Sequence, residues 1–146
     1  MRDDSEVIRR LLAAVEERDL ARVLACYSDD VQIVEADVLP YGGLWRGRNE
    51  ARAHAEAFTR AWGHLQGPAE SRLEARFCGD AGTVCAVFRH KAVDPLSGKR
   101  FDAPQVGVYR VRDGRVTNSE MFHADSAAVQ RFLEDVARGA EGPADS

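Results

Sequence analysis

The sequence predicts an α+β fold, in which a cone-shaped, curved, mixed or antiparallel sheet and three N-terminal helices enclose a pocket, with a short helix at the C-terminus. Apolar residues recur at helical spacing in the first part of the chain, and apolar and polar residues alternate in the second part. Asp113-Gly114, a dipeptide typical of two-residue hairpin turns, lies between two alternating segments. These observations predict helices first and an antiparallel meander afterwards.

Two helices are predicted at the N-terminus. Residues 7–15 place valine, isoleucine and leucine at helical spacing, after candidate capping residues at positions 3–5. Asp19 is placed to cap a second, short helix over residues 20–27. The polar residues 28–30 then predict a turn.

One strand, a loop and a third helix follow. Residues 31–36 alternate in polarity, which predicts a strand with Glu35 on the same face as Val31. Residues 39–47 contain one proline and three glycines, which predicts a loop. Residues 48–62 place alanines and aromatic residues on one stripe, which predicts the third helix.

Four more strands and a C-terminal helix complete the prediction. The strands are expected at residues 73–77, 83–93, 100–111 and 115–123. Residues 126–138 predict a helix that Asp125 is placed to cap, and residues 139–146 predict a disordered tail. The chain has neither an internal repeat nor a linker, so we interpret residues 1–138 as one domain.

Composition and charge restrict the partners. The chain of 146 residues has a formal net charge of −4, which gives no field for attracting phosphate groups, so nucleic acid is not expected as a partner. No apolar run approaches the roughly 20 residues needed to span a bilayer, so no membrane partner is expected. The charged N-terminus lacks the apolar core of a signal peptide, and the three cysteines form no paired motif. Both features favour a reduced, cytoplasmic protein.

Several short segments carry a resemblance to a known superfamily. They are residues 19–20, 27–31, 40–48, 109–116 and 123–128. In their order and spacing the chain resembles the SnoaL-like and ketosteroid-isomerase-like branch of the nuclear-transport-factor-two-like superfamily, over nearly its whole length. The resemblance implies the cone fold and a homodimer formed through the outer face of the sheet. It does not imply one reaction, because the superfamily includes cyclases, isomerases, epoxide hydrolases and proteins without catalysis.

The catalytic positions of that superfamily are only partly matched. The general base that ketosteroid isomerases carry on the first strand matches Glu35, and an apolar pocket is expected to raise the pKa of such a carboxyl group. The two oxyanion donors of that isomerase match Leu11 and Gly107. The histidine of SnoaL-type cyclases also matches Gly107, and their acid/base aspartate matches Met121. A steroid isomerase and a copy of the SnoaL aldol cyclase are therefore both disfavoured.

Strand alternation supplies further pocket candidates, because every second residue of a strand shares one face. The candidates on the two inward faces are Gln105, Gly107, Tyr109, Ser119, Met121, His123 and Asp125. His123 and Asp125 are interpreted as an acid/base pair; alternatively, Asp125 only caps the last helix and His123 is a core residue. Gly107 is interpreted as making room for a bulky ligand. For Glu35 the alternative is a carboxylate at the rim, paired with an arginine.

Other candidates lie outside these two strands. Tyr41 and Trp45 fall in the glycine-rich loop, where they predict either a lid over the mouth or packing in the core or a dimer interface. Arg89 and His90 are adjacent, so only one of them can point into the pocket, and the sequence leaves both possibilities open. His54 is predicted to lie on the surface.

The sequence thus predicts a cofactor-independent cyclase or isomerase that acts on a hydrophobic, polyketide- or terpenoid-like molecule. Glu35 moves a proton, His123 and Asp125 supply the complementary acid and base, and Tyr109 and Gln105 hold a substrate oxygen. Neither a metal-binding spacing of histidine and cysteine nor a nucleotide-binding glycine motif is present, so no metal or cofactor is expected. Two alternatives remain: a non-catalytic small-molecule-binding protein, and an epoxide hydrolase using Asp125 with Arg89.

Overall fold

The secondary structure consists of five α-helices and six strands within residues 4–141, the part of the chain that the computed structural model describes apart from the side chain of Asp80. The helices are α1 Ser5–Glu16, α2 Leu20–Ala25, α3 Gly47–Trp62, α4 Pro68–Ser71 and α5 Ser126–Glu141, and a 3-10 turn covers Gly63–Leu65. The strands are β1 Tyr27–Glu35, β2 Gly43–Arg46, β3 Arg76–Asp80, β4 Thr83–Val93, β5 Arg100–Arg112 and β6 Arg115–His123.

The strands form one curved sheet in the order β2-β1-β6-β5-β4-β3. β1 and β6 are parallel, and every other neighbouring pair is antiparallel. The inner face of the sheet packs against α1, α2 and α3 through a core that includes Ile8, Leu11, Val31 and Ala86. The predicted α+β cone is therefore confirmed, with a mixed sheet that stays open at its edges.

Local capping fixes where two of the helices begin. The side chain of Asp19 accepts a hydrogen bond from the backbone N–H of Arg22, as expected for the cap of α2. Asp125 accepts from the backbone N–H of Ala128 in the same way at the start of α5. Each cap satisfies a backbone donor that the first turn of a helix leaves unpaired.

The main differences from the predicted elements lie around β1, β2 and α5. Residues 27–30 belong to β1 instead of a helix end and a turn, and residues 43–46 form the edge strand β2 instead of a loop. Gly43 and Gly47 have φ values of +98° and +79°, so these glycines bound a short strand rather than filling a long loop. α5 continues to Glu141, so residues 139–141 of the predicted tail are helical, and the rest of that tail lies outside the described residues.

The outer face of the sheet carries several exposed apolar side chains. Val34, Leu44, Val87 and Phe122 are between 38% and 52% exposed. Val34 is the register partner of Leu44, so these two side chains adjoin on one face. Among the residues that the structure describes, no helix is both long and apolar enough to cross a membrane.

Candidate functional site

A cavity of about 600 Å³ lies between the inner face of the sheet and helices α1, α2 and α3. Its lining is mostly apolar and includes Leu11, Leu12, Val15, Val23, Phe58, Leu73, Phe88 and Met121. Polar side chains from the sheet and from α3 interrupt this lining: Tyr27, Glu35, His54, Glu56, Thr59, Arg60, His90, Gln105, Tyr109 and Ser119. A space of this size, with a mainly apolar surface and several polar groups directed into it, is typical of a small-molecule site.

Glu35, the last residue of β1, is the acidic group at the inner wall, and it is only 5% exposed. Its Oε1 lies 3.3 Å from Nε2 of His54 on α3. Its Oε2 lies 3.9 Å from Nε2 of His123, at the end of β6. The carboxylate therefore sits between two imidazoles that reach it from different elements.

The pKa of Glu35 is the net result of opposing influences. Burial raises it, but the nearby imidazoles of His123 and His54 lower it, His123 through its charge and His54 through its charge and its hydrogen bond, and together they hold the pKa of this carboxyl below its usual value. The predicted increase is therefore wrong, because the site pairs the acid with two bases. An ionised carboxylate can only accept, so Nε2 of His54 carries the proton of their hydrogen bond.

His54 is the residue that the sequence prediction placed wrongly on the surface. Its side chain is only 13% exposed and lines the cavity. A signal for this position exists in the helical spacing, because His54 lies three residues after Ala51 and four before Phe58, on the apolar stripe of α3. A histidine on such a stripe faces the sheet, where Glu35 supplies its partner.

His90, and not Arg89, faces the cavity. The His90 side chain is buried, and its Nδ1 lies 3.2 Å from Oε1 of Gln105. Burial is the main cause that lowers the pKa of His90 to about 4, so the ring is neutral at physiological pH. Arg89 points to the opposite face and pairs with Asp102 at 2.8 Å. The prediction of Arg89 as a substrate-binding residue is therefore wrong.

Asp125 lies outside the cavity, and its prediction as a catalytic residue facing the pocket is wrong. Its side chain is 60% exposed, caps α5 and lies 3.8 Å from Arg131. The alternation of β6 ends at His123, so it does not extend to Asp125. The two groups suggested for an epoxide hydrolase, Asp125 and Arg89, are thus both directed away from the cavity.

Tyr41 and Trp45 pack behind the site and do not form a lid. Tyr41 is 1% exposed, and its hydroxyl accepts a hydrogen bond of 2.9 Å from Nε1 of Trp62. Nε1 of Trp45 donates to the backbone carbonyl of Tyr41 at 3.0 Å. The rings of Tyr41 and Trp45 contact the imidazole of His54 edge-on, which fixes its orientation.

Tyr27 and Tyr109 place two phenol groups in the cavity wall. Both side chains are buried, and burial is the main cause that raises the pKa of each, so both remain neutral donors at physiological pH. Ser119 adds a buried hydroxyl group to the same wall. Tyr27 was missed because the sequence predicted it to be at the end of a helix rather than on a strand.

The space beside Gly107 is occupied by protein and not left for a ligand. A Cβ atom on Gly107 would lie 2.6 Å from the hydroxyl oxygen of Tyr109 and 2.7 Å from two of its ring carbons. The interpretation that Gly107 makes room for a bulky ligand is therefore wrong. The glycine instead allows the Tyr109 ring to lie against the strand.

Replacing Gly107 with alanine is expected to lower the free energy of unfolding by about 1–3 kcal/mol, the usual cost of overpacking a core. The cost arises because the rigid ring of Tyr109 must move. In a Tyr109→Leu background the same change should cost much less, since the overlapping ring atoms are gone. Denaturant unfolding of the two single variants and the double variant measures this coupling, and additive effects would contradict it.

Three buried polar atoms at one end of the site lack a hydrogen-bond partner among the described residues. They are Oε2 of Glu35, Nε2 of His123 and Nε2 of His90. The rings of His90 and His123 are 6.2 Å apart between centroids, so the three atoms belong to one cluster. Within residues 4–141, no group of three or more histidine, cysteine, aspartate or glutamate residues is arranged to hold a metal ion.

Comparisons with known proteins agree with this architecture. The sequence model of the SnoaL-like domain matches residues 8–119. An uncharacterized protein of Mycobacterium tuberculosis strain H37Rv is 30% identical over 129 residues, which cover 88% of this chain and 95% of that protein. An NTF2-like protein of unknown function from Burkholderia pseudomallei K96243 superposes with a TM-score of 0.77 at 23% identity, covering 91% of this chain and 98% of its own.

Two further structures share the fold at lower identity. TerC, co-crystallized with polyporic acid, has a TM-score of 0.76 at 21% identity and covers 90% of this chain and 98% of its own. A protein of Pseudomonas putida KT2440, described as a proposed polyketide cyclase, has a TM-score of 0.70 at 17% identity and covers 89% of this chain and 98% of its own. Because the family match spans most of the sequence and the fold is that of NTF2-like proteins, this chain belongs to the SnoaL-like domain family.

Proposed function

We propose that the protein is a cofactor-independent isomerase or cyclase that moves a proton on a hydrophobic, polyketide- or terpenoid-like carbonyl compound. The observation that carries the proposal is Glu35, a carboxylate held in the wall of an apolar cavity between two imidazoles. Burying a charged group costs several kcal/mol unless it is well paired. Such an arrangement in a cleft is typical of groups that take part in proton transfer.

Glu35 is the proposed general base. Its carboxylate removes a proton from the carbon beside the substrate carbonyl, and the electron pair of that C–H bond moves into an enolate. In an isomerisation the same proton returns to another carbon of the enolate. In a cyclisation the enolate carbon attacks a second carbonyl of the same molecule, and the proton passes to the new alkoxide.

The two imidazoles have different proposed roles. His54 lines the cavity and donates to Oε1 of Glu35, so it touches both the base and the ligand space. His123 approaches Oε2 of Glu35 from the strand side and is not among the residues that line the cavity. We therefore assign His123 as a positioning residue that keeps Glu35 ionised, and His54 as a catalytic residue.

The substrate oxygen has suitable donors in the same wall. Tyr27 and Tyr109 are neutral phenols in the cavity, and the charge of Glu35 contributes to raising the pKa of both. Neutral donors that are fixed in place stabilise the negative charge that develops on an enolate oxygen. Gln105, held against His90, is a further candidate for contact with a substrate oxygen.

Two structural neighbours support an apolar organic ligand. One was crystallized with polyporic acid, and another is described as a proposed polyketide cyclase. Both share only the fold with this chain, so the support concerns the class of cavity. Most of the lining here is hydrocarbon, which favours the same class of molecule.

The exchange of α-protons of 2-tetralone in deuterated water tests this proposal. The ketone is small and apolar, and NMR follows the loss of its α-proton signal. Acceleration over buffer alone supports the proposed chemistry. Binding without accelerated exchange would favour the non-catalytic binding protein instead. Opening of styrene oxide with incorporation of labelled water oxygen would favour the epoxide hydrolase.

A second copy of the chain is the proposed partner of the outer face of the sheet. Phe122 and Val87 are exposed there on neighbouring parts of the same face, and contiguous exposed apolar side chains are typical of association surfaces.

Phe122→Asp is expected to shift sedimentation equilibrium from dimer to monomer, because it buries a charge in the interface. Leu96→Asp, in the β4–β5 hairpin, is the matched control and should leave the dimer unchanged. A monomeric wild type would contradict the assignment.

A further inference from the structure

Arg18 lies at the mouth of the cavity in an unusual position. It follows α1 with a φ of +56°, a conformation that favours glycine or asparagine over other residues. Its Nη2 donates to the side-chain Oε1 of Gln66 at 3.1 Å and to the backbone carbonyl of Gln66 at 3.3 Å. Gln66 is fixed in turn by a bond of 2.9 Å from its Nε2 to the carbonyl of Lys91 on β4. One nitrogen of the guanidinium, Nη2, is thus held by Gln66 through two contacts.

A polar groove of about 650 Å³ continues from the cavity beyond this point. Arg18, Gln66 and Ser71 line both spaces, so they form the connection between them. The groove also contains Arg72, a second cationic side chain. The apolar cavity therefore opens through a polar neck, in which Gln66 accepts from Arg18 and the guanidinium of Arg18 is the charged donor.

The charges around the neck favour an anion. Glu17, one of the two acids of the groove, is paired with Arg22 and so contributes little free negative charge. Arg18 and Arg72 are opposed only by Glu16 within the groove. Arg18 uses one nitrogen to bind Gln66, which leaves donors of its planar fork for a second acceptor.

We propose that Arg18 binds a carboxylate at one end of the ligand, so that the substrate class is an apolar carboxylic acid whose hydrocarbon body fills the cavity. A carboxylate matches the guanidinium fork in size and charge. The reacting carbon in the body of the ligand then faces Glu35, and the carboxylate end lies in the neck beside Arg18. This inference rests on the proposed function, because it assumes that the cavity holds the substrate.

The test compares three probes with one apolar body: 6-phenylhexanoate, 6-phenylhexan-1-ol and 6-phenylhexylamine. Isothermal titration should show the acid binding about tenfold more tightly than the alcohol, the effect of one charge-assisted contact of moderate strength. Arg18→Gln should abolish this preference while leaving the alcohol affinity within about twofold. Unchanged alcohol binding also shows that the variant is folded.

Arg115→Gln, on the β5–β6 hairpin and outside both spaces, is the matched control and should keep the preference for the acid. Equal binding of acid and alcohol to the wild type would overturn the assignment, as would tighter binding of the amine. A preference for the acid that survives Arg18→Gln would place the carboxylate elsewhere, beside the histidines. 2-Tetralone carries no carboxylate, so its exchange tests the proposed function without involving Arg18. Failure of the proposed function can therefore be distinguished from failure of the Arg18 assignment.

Discussion

Glu35→Gln is expected to slow the exchange of 2-tetralone α-protons by about 10²–10⁴-fold, the usual contribution of a general acid or base. The amide has the size of the carboxyl group and keeps an oxygen that accepts from His54, but it cannot take up a proton at neutral pH. Since the imidazoles hold the pKa of Glu35 below its ordinary value, the wild-type base is already ionised at neutral pH. The wild-type rate should therefore fall only in acid. NMR in deuterated buffer measures both rates.

Glu120→Gln provides the matched control for this experiment. Glu120 lies on β6 beside Val34 and is exposed on the outer face, so the same change of charge there should leave the exchange rate unaltered. His123→Gln tests the positioning role, because loss of that imidazole should let the pKa of Glu35 rise. The acidic limb of the pH–rate profile should then move to higher pH. Wild-type exchange by the Glu35→Gln protein would rule out this carboxylate as the base.

Alternation along the strands predicted the direction of the most important side chains. Glu35 follows the inward residues Val31 and Ile33 by even steps, and all three are buried. The same rule predicts that His90 faces the cavity. Phe88 and Ala92 lie two residues before and after it on β4, and both are buried apolar residues. The choice between Arg89 and His90 was therefore present in the pattern of β4.

Other parts of the site depend on contacts between elements that are far apart in sequence. His54 belongs to a helix and Glu35 to a strand 19 positions earlier, and no local pattern states that these two meet. The sequence does not predict β2, because this strand has only four residues next to glycines. Such a short segment shows too little alternation of apolar and polar residues to indicate a strand. Asp125 was misplaced because a strand pattern does not reveal the residue at which the strand ends.

A different expected result concerns stability in acid. Between pH 8 and pH 5, His90 should reduce the free energy of unfolding by about 2 kcal/mol. The folded protein holds the pKa of this imidazole at about 4, whereas the ordinary value is 6.5, because burial disfavours the charged ring. The unfolded chain therefore takes up the proton first as the pH falls. The contribution of His90 to the free energy of unfolding is therefore complete above pH 6.5, the ordinary pKa. It is lost progressively as the pH falls to about 4, the pKa in the folded protein.

The surroundings of His90 explain why its ring resists protonation. The Trp62 ring lies 4.1 Å away between centroids, and the rings of Phe58 and Phe101 lie within 6.0 Å. The charge of His123 lowers the pKa further, while Gln105 and the negative charge of Glu35 act in the opposite direction. Burial outweighs these opposing contacts because the aromatic rings exclude the water that an imidazolium requires.

His90→Asn isolates this contribution, because asparagine keeps an amide donor near the position of Nδ1 for Gln105 but does not titrate. Urea unfolding at a series of pH values should give a shallower dependence for this variant, and the difference from the wild type should approach 2 kcal/mol at pH 5. His64→Asn replaces an exposed histidine and should leave the wild-type slope unchanged. Equal slopes for His90→Asn and the wild type would mean that water reaches the ring, and the neutral state of His90 would then have to be abandoned.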